Sequence, residues 1–210
     1  AMTRAEAVRA LEVGIGIAGD LAGKGITLIG LGDMGIGNTT ASSAMAAVLL
    51  GLPPETVTGR GTGIDDDGYR RKIDAIHRAI EVNKPNPSDP LDVLAKVGGF
   101  EIAGLAGVVL GAAAHRVPVI TDGLITTAAT LTAVRLAPQA RGYVIPSHAS
   151  VEVAHRKLLD ALDARPALDL DMRLGEGTGA ALMMNLVDAG VRILDEMATF
   201  ESAGVSDSGA

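Results

Sequence analysis

Residues 25–50 read Gly25-Ile26-Thr27-Leu28-Ile29, then Gly30-Leu31-Gly32-Asp33-Met34-Gly35-Ile36-Gly37-Asn38-Thr39-Thr40, then an apolar helical run from Ala41 to Leu50. Ile26 to Ile29 has the short, β-branched character of a buried strand. The glycines at 30, 32, 35 and 37 predict a loop whose backbone can approach a ligand closely. Asn38, Thr39 or Thr40 is placed to cap the following helix, whose N-terminal amides and dipole favour an anion, phosphate above all. A strand that feeds a helix through such a loop is the repeating unit of a parallel α/β fold.

The alternation continues along the chain. Thr3-Arg4-Ala5-Glu6 is a capping box that opens an amphipathic helix to about Ala22. Asp65 or Asp66 is expected to cap a helix running to Val82, and Pro90 to start another after the loop 85–90. Val117 to Thr121 reads as a strand before a helix from about Leu124 to Arg135. Gly142 to Pro146 and Ala167 to Asp171 read as two more strands, each leading to a helix. Strands separated by helices imply a three-layer α/β/α arrangement around a parallel, Rossmann-like sheet, with ligands at the carboxyl ends of the strands. The whole of 1–210 is expected to form one α/β domain with helical flanks at 1–22 and 180–210; residues from Ser202 onward read as a frayed terminus.

Composition narrows the class. An apolar content of 48% supplies a core, while only 2% aromatic residues and no Trp require helices to pack through Ala, Val, Leu, Ile and Gly. A net charge of −7 without a Lys/Arg block argues against nucleic acid, and the apolar runs, such as Ile102 to Ala114, are too short for a membrane span. The absence of Cys excludes disulfides and thiolate metal sites and fits a cytoplasmic protein. Asp65-Asp66-Asp67-Gly68 lacks the alternation of a calcium loop, and the four histidines are dispersed, so no metal or cofactor is expected.

Two further segments carry candidate chemistry. Asp169-Leu170-Asp171-Met172-Arg173-Leu174-Gly175-Glu176-Gly177-Thr178-Gly179 sets one carboxylate, Glu176, between glycines at a strand-to-helix junction, where it is a candidate general base. Asp122-Gly123 follows a strand, so Asp122 could hydrogen-bond ribose hydroxyls or, equally, cap a buried helix. Ser147 and His148 follow another strand and are placed near a ligand. Gly30, Gly32 and Gly35 also satisfy G-x-G-x-x-G, the fingerprint of an NAD(P)-binding Rossmann oxidoreductase. That alternative requires a second strand ending in an acid about twenty residues on, and Glu55 instead follows Pro53-Pro54 in a turn.

Taken together, Gly32-Asp33-Met34-Gly35-Ile36-Gly37-Asn38-Thr39-Thr40, Gly59-Arg60-Gly61-Thr62-Gly63, Thr121 to Ala129, Pro146-Ser147-His148-Ala149-Ser150, Leu174 to Ala180 and Met197-Ala198-Thr199-Phe200 resemble, in order, the nicotinate-nucleotide:dimethylbenzimidazole phosphoribosyltransferase family. Asp33 stands where that family often has Glu, and Glu152-Val153-Ala154-His155 replaces a more usual Glu-Pro-Gly-His. The resemblance implies transfer of 5-phosphoribose from nicotinate mononucleotide to 5,6-dimethylbenzimidazole by a cytoplasmic homodimer acting on small molecules. Glu176 would take the azole proton. Gly35, Gly61 and Lys72 would clamp the phosphate, and Asp33, Met34, Gly37, Asn38, Thr39, Asp122, Gly123, Ser147, Gly175 and Gly177 would line the site. The chain resembles the C-terminal portion of the family, so a fragment is expected that binds mononucleotide better than aromatic base. A non-catalytic nucleotide-binding or assembly role is the alternative.

Overall fold

A computed structural model of the chain describes residues 1–61 and 63–204. Thr62, quoted above within a glycine-rich motif, and residues 205–210 of the expected frayed end lie outside the described residues. In chain order the elements are α1 (Arg4–Gly23), β1 (Ile29–Gly30), α2 (Thr39–Leu50), α3 (Asp66–Asn83), α4 (Pro90–Val97), α5 (Phe100–Ala114), β2 (Val119–Thr121), α6 (Leu124–Leu136), β3 (Val144–Pro146), α7 (Val153–Ala161) and α8 (Thr178–Glu196). Short 3-10 turns precede α3 and β3, at Pro54–Thr56 and Pro138–Tyr143.

The three strands form one parallel sheet in the order β1-β2-β3, with Ile29 beside Val119 and Val119 beside Val144. Val119, Ile120 and Thr121 are all buried although consecutive strand residues face opposite sides, so both faces of the central strand are covered. The fold class expected from the alternation is therefore present, with shorter strands. Pairing begins only at Ile29 because β2 starts at Val119; Ile26 and Thr27 lie ahead of it, exposed.

The expected strand Ala167 to Asp171 is a correction. It contributes a single parallel bridge, Leu168 beside His148, held by Ala149 N–H to Leu168 O at 2.8 Å and Leu168 N–H to Ser147 O at 3.0 Å. Pro166 has no N–H to add to a ladder, and Asp171 turns into the left-handed region at φ 53, which ends the extended run. The expected C-terminal helical flank likewise stops at Glu196. Between α2 and α3 the described residues contain a 3-10 turn and no strand, which removes the second strand that the dinucleotide reading requires.

The capping signals are met where side chains can reach. Thr3 and Glu6 close the predicted capping box, Asp65 caps α3 through the Gly68 amide, and Asp89 caps α4 with Pro90 at its first position. Asn38 occupies the cap position of α2 but has αR backbone angles and makes no capping bond. Its Nδ2 is drawn instead to Asp33 Oδ1 at 2.9 Å.

The scarcity of aromatic residues is answered by close helix contact. A Cβ on Gly14 of α1 would strike the Gly104 carbonyl oxygen of α5, and one on Gly107 would strike the Leu11 carbonyl oxygen. The two backbones are therefore nearly in contact, closer than the usual packing of branched side chains. Gly107→Ala should force α1 off α5 and cost about 1–3 kcal/mol. Urea unfolding measures this, and an unchanged midpoint would show that α1 does not rest on Gly107.

Candidate functional site

Three loops leave the carboxyl ends of β1, β2 and β3 and meet the segment before α8. The loop after β1 carries Asp33 to Asn38 and leads into Thr39 of α2, the loop after β2 carries Asp122 and Gly123, and the loop after β3 carries Ser147 to Glu152. They enclose a cleft of about 700 Å³, the size of a small-molecule site.

The cleft is held together by backbone contact between the two glycine loops. A Cβ on Gly32 would sit 2.6 Å from the Gly177 nitrogen and 2.9 Å from the Glu176 carbonyl carbon, so only glycine admits that approach. Glu176 N–H donates to Asp33 O at 2.9 Å. Asp122, buried at the end of β2, accepts from Gly177 N–H at 3.0 Å, Gly179 N–H at 2.8 Å and Ala180 N–H at 3.3 Å. Its carboxylate is the cap of α8. Of the two readings open to it in the sequence, helix capping is the one its hydrogen bonds express, although the residue also lines the cleft.

Glu176 stands between these ties at φ 58, a left-handed conformation that a residue with a Cβ adopts at a cost of about 1–3 kcal/mol. Its side chain is exposed beside the cleft lip formed by Gly175 and Leu174. Asp33 lies across the loop contact and uses Oδ1 to accept from Gly35 N–H at 2.7 Å and from Asn38.

At the other end, Thr39 and Gly61 line the cleft, and Lys72 on α3 donates to Thr39 Oγ1 at 3.0 Å and Gly59 O at 2.9 Å. An ammonium has three donors, so one is left for a ligand. Burial pushes the Lys72 pKa down from its ordinary value, and the nearby Glu152 charge opposes that shift. The first-turn amides of α2 open beside Thr39 and add the dipole of a twelve-residue helix.

A buried histidine pair, with ring centroids 5.8 Å apart, stands at the cleft wall, His148 lining it and His155 not. His155 Nδ1 accepts from Ser150 N–H at 2.9 Å, so the ring proton is on Nε2, 2.9 Å from Thr127 Oγ1. Burial lowers its pKa to about 3, helped by His148 and Arg156. His148 is also lowered by burial, against the pull of Asp122, and its Nδ1 meets Ser147 Oγ at 2.9 Å. Both rings are therefore neutral props for the loop after β3.

Of the residues expected at the site, Asp33, Met34, Gly35, Thr39, Gly61, Asp122, Gly123 and Gly175 line the cleft, as does His148. Asn38, Lys72, Ser147, Glu176 and Gly177 are adjacent, each tied to a lining residue or next to one in the chain, whereas Gly37, two residues from Gly35 and from Thr39, neither lines the cleft nor touches a residue that does. Ser147 is fully buried, and Ser150, three positions on, takes its place in the wall. Leu124, Ile125, Thr126, Glu152, Arg173 and Leu174 also line it. In the sequence Glu152 is signalled only by the altered Glu-Val-Ala-His run, and Arg173 only by its closeness to Glu176.

Comparisons with known proteins identify relatives of this chain. A family model described as Phosphoribosyltransferase matches residues 1–205. The chain is 58% identical over 207 residues to a nicotinate-nucleotide--dimethylbenzimidazole phosphoribosyltransferase of Geobacter sulfurreducens, covering 99% of this chain and 59% of that protein. It is 59% identical over 210 residues to the same-named protein of Syntrophobacter fumaroxidans, covering 100% of this chain and 60% of that one. The crystal structure of CobT from Thermus thermophilus superposes with a TM-score of 0.93 at 49% identity, covering 99% of this chain and 62% of that one. The chain thus spans about three fifths of the length of these relatives.

Because His155 is neutral when folded and titrates at the ordinary 6.5 when unfolded, the unfolded chain binds the extra proton between 6.5 and about 3. Stability is intact above that window and should fall as pH drops into it, by up to about 1.4 kcal/mol per pH unit. Urea unfolding between pH ~7 and ~5 measures the slope. His155→Asn keeps an acceptor for the Ser150 amide and should flatten it; an equal slope would remove His155 from the account.

Proposed function

Since the chain belongs to the phosphoribosyltransferase family matched over residues 1–205, we propose that its cleft transfers 5-phosphoribose from nicotinate mononucleotide to 5,6-dimethylbenzimidazole, giving α-ribazole 5′-phosphate and nicotinate. The observation that carries this reading is the placing of one carboxylate, Glu176, at the lip of a cleft that Thr39 and Gly61 also line, with Lys72 bonded to Thr39 and keeping an N–H to spare.

The chemistry follows from those two groups. Phosphate at Lys72, Gly61, Gly35 and the start of α2 fixes the sugar. The glycosidic nitrogen of the donor is part of a pyridinium, so the C1′–N bond breaks with its electron pair passing to that nitrogen. Nicotinate leaves with a neutral ring, and no acid is needed. One ring nitrogen of the azole attacks C1′ from the opposite face, converting a β-nucleotide to an α one, and the proton on its other nitrogen passes to Glu176. In-line holding supplies the orientation, and base catalysis the proton path.

Met34 and Leu174 support an aromatic acceptor, for both line the cleft yet are 65% and 63% exposed, a costly arrangement unless an apolar ring covers them. Such a ring would also exclude water from Glu176. A homodimer in the cytoplasm belongs to the same proposal. It is supported by the exposed apolar side chains of α8, Leu182, Leu186, Ile193 and Leu194 among them, and by the lack of Cys. Among the described residues no helix is long and apolar enough to cross a membrane. The exposure of Glu176 favours a second reading, mononucleotide binding without transfer.

Nicotinate release from nicotinate mononucleotide, measured with and without dimethylbenzimidazole, tests the proposal. Release should depend on the base and fall by roughly 10²–10⁴ in Glu176→Gln. Bound mononucleotide with no release in either case would select the second reading, and a variant within twofold of the parent would remove Glu176 from the chemistry.

A further inference from the structure

Glu152 occupies the position before α7 where a carboxylate ordinarily caps a helix, yet its side chain caps nothing. Its amide donates to Ser150 Oγ at 3.3 Å, and its carboxylate lies over the backbone of Gly59, where any Cβ would collide with Oε2. Residue 59 is thus bare on the side that the carboxylate fills, and the same glycine gives its carbonyl to Lys72. Glu152 is half-buried and lines the cleft between Ser150 and the Thr39–Gly61 end. Its charge reaches Lys72 without forming an ion pair with it.

A carboxylate at that place is a cost to anion binding, because it repels the phosphate that Lys72 and α2 attract. The cost is offset if the ligand that brings the phosphate also brings hydrogen-bond donors to the carboxylate. In a ribose 5-phosphate group the nearest donors are the vicinal 2- and 3-hydroxyls, which two carboxylate oxygens can accept together. Asp122 is committed elsewhere, its oxygens taken by the amides of Gly177, Gly179 and Ala180. Among the described residues the Glu152 carboxylate accepts no such bond.

We propose that Glu152 grips the vicinal hydroxyls of the phosphoribosyl group and makes the cleft select ribose over 2-deoxyribose. The proposal rests on reading the Lys72 end as the phosphate subsite. Calorimetric titration of the full chain with inorganic phosphate, ribose 5-phosphate and 2-deoxyribose 5-phosphate tests both. The parent should prefer the ribose ester by about tenfold, the size of one charge-assisted hydrogen bond. Glu152→Gln should reduce that preference to within about twofold while binding inorganic phosphate as tightly as the parent or more so. Gly59→Ala, which drives a methyl into Oε2, should reduce the preference with the carboxylate still in the chain.

A parent without the preference, or a Glu152→Gln chain that keeps it, overturns the role of Glu152 alone. Loss of inorganic phosphate binding in Glu152→Gln overturns it too, since the carboxylate would then be supporting the phosphate loop. No binding of inorganic phosphate to the parent overturns the phosphate subsite, and the Glu152 proposal with it.

Discussion

Three hydrogen bonds to one buried carboxylate hold the site in shape. Asp122 ends the central strand and takes the amides of Gly177, Gly179 and Ala180, so the start of α8 is fixed to the sheet at the point where the chain must also present Glu176. A carboxylate at a helix N-terminus satisfies orphan donors and meets the positive end of the dipole. With Asp122 in place, Gly177 rests against Gly32, Glu176 N–H reaches Asp33 O, and two loops distant in sequence form one lip. The left-handed backbone at Glu176 is sustained by these ties on either side.

Charge is distributed along the cleft so that each end favours a different chemistry. Lys72, half-desolvated and already bonded to Thr39 and Gly59, is short of a counterion that a phosphate would supply. The walls between carry Asp33, Glu152 and Arg173, while His148 and His155 are kept neutral by burial. A phosphorylated sugar with a cationic ring, entering phosphate first, matches that sequence of fields better than a purely anionic ligand does.

The parallel α/β architecture and the meeting of three loops at the strand ends were legible because glycines, capping residues and β-branched runs act locally. The two glycine loops, the Thr3 capping box and the Asp65 and Asp89 caps follow from such local chemistry. What escaped depends on distant residues. Ala167 to Asp171 has strand composition, but the neighbour it needs extends only as far as one bridge. Asn38 is a natural cap by type, but Asp33 claims its amide. Ser147 and Ser150 are indistinguishable by type, yet Ser147 is buried while Ser150, its amide bonded to His155, lines the cleft. Glu152 is signalled in the sequence only by the altered Glu-Val-Ala-His run, and its place over Gly59, 93 positions earlier in the chain, depends on the fold.

Amide hydrogen exchange tests the central claim most directly. If Asp122 clamps the loop, the amides of Gly177, Gly179 and Ala180 should be strongly protected in the parent. In Asp122→Asn, whose side chain offers one acceptor in place of two, they should exchange much faster while those of β2 stay protected. Unchanged protection at the three amides would contradict the account, since the lip that presents Glu176 would then be held by something other than the carboxylate at the end of the central strand.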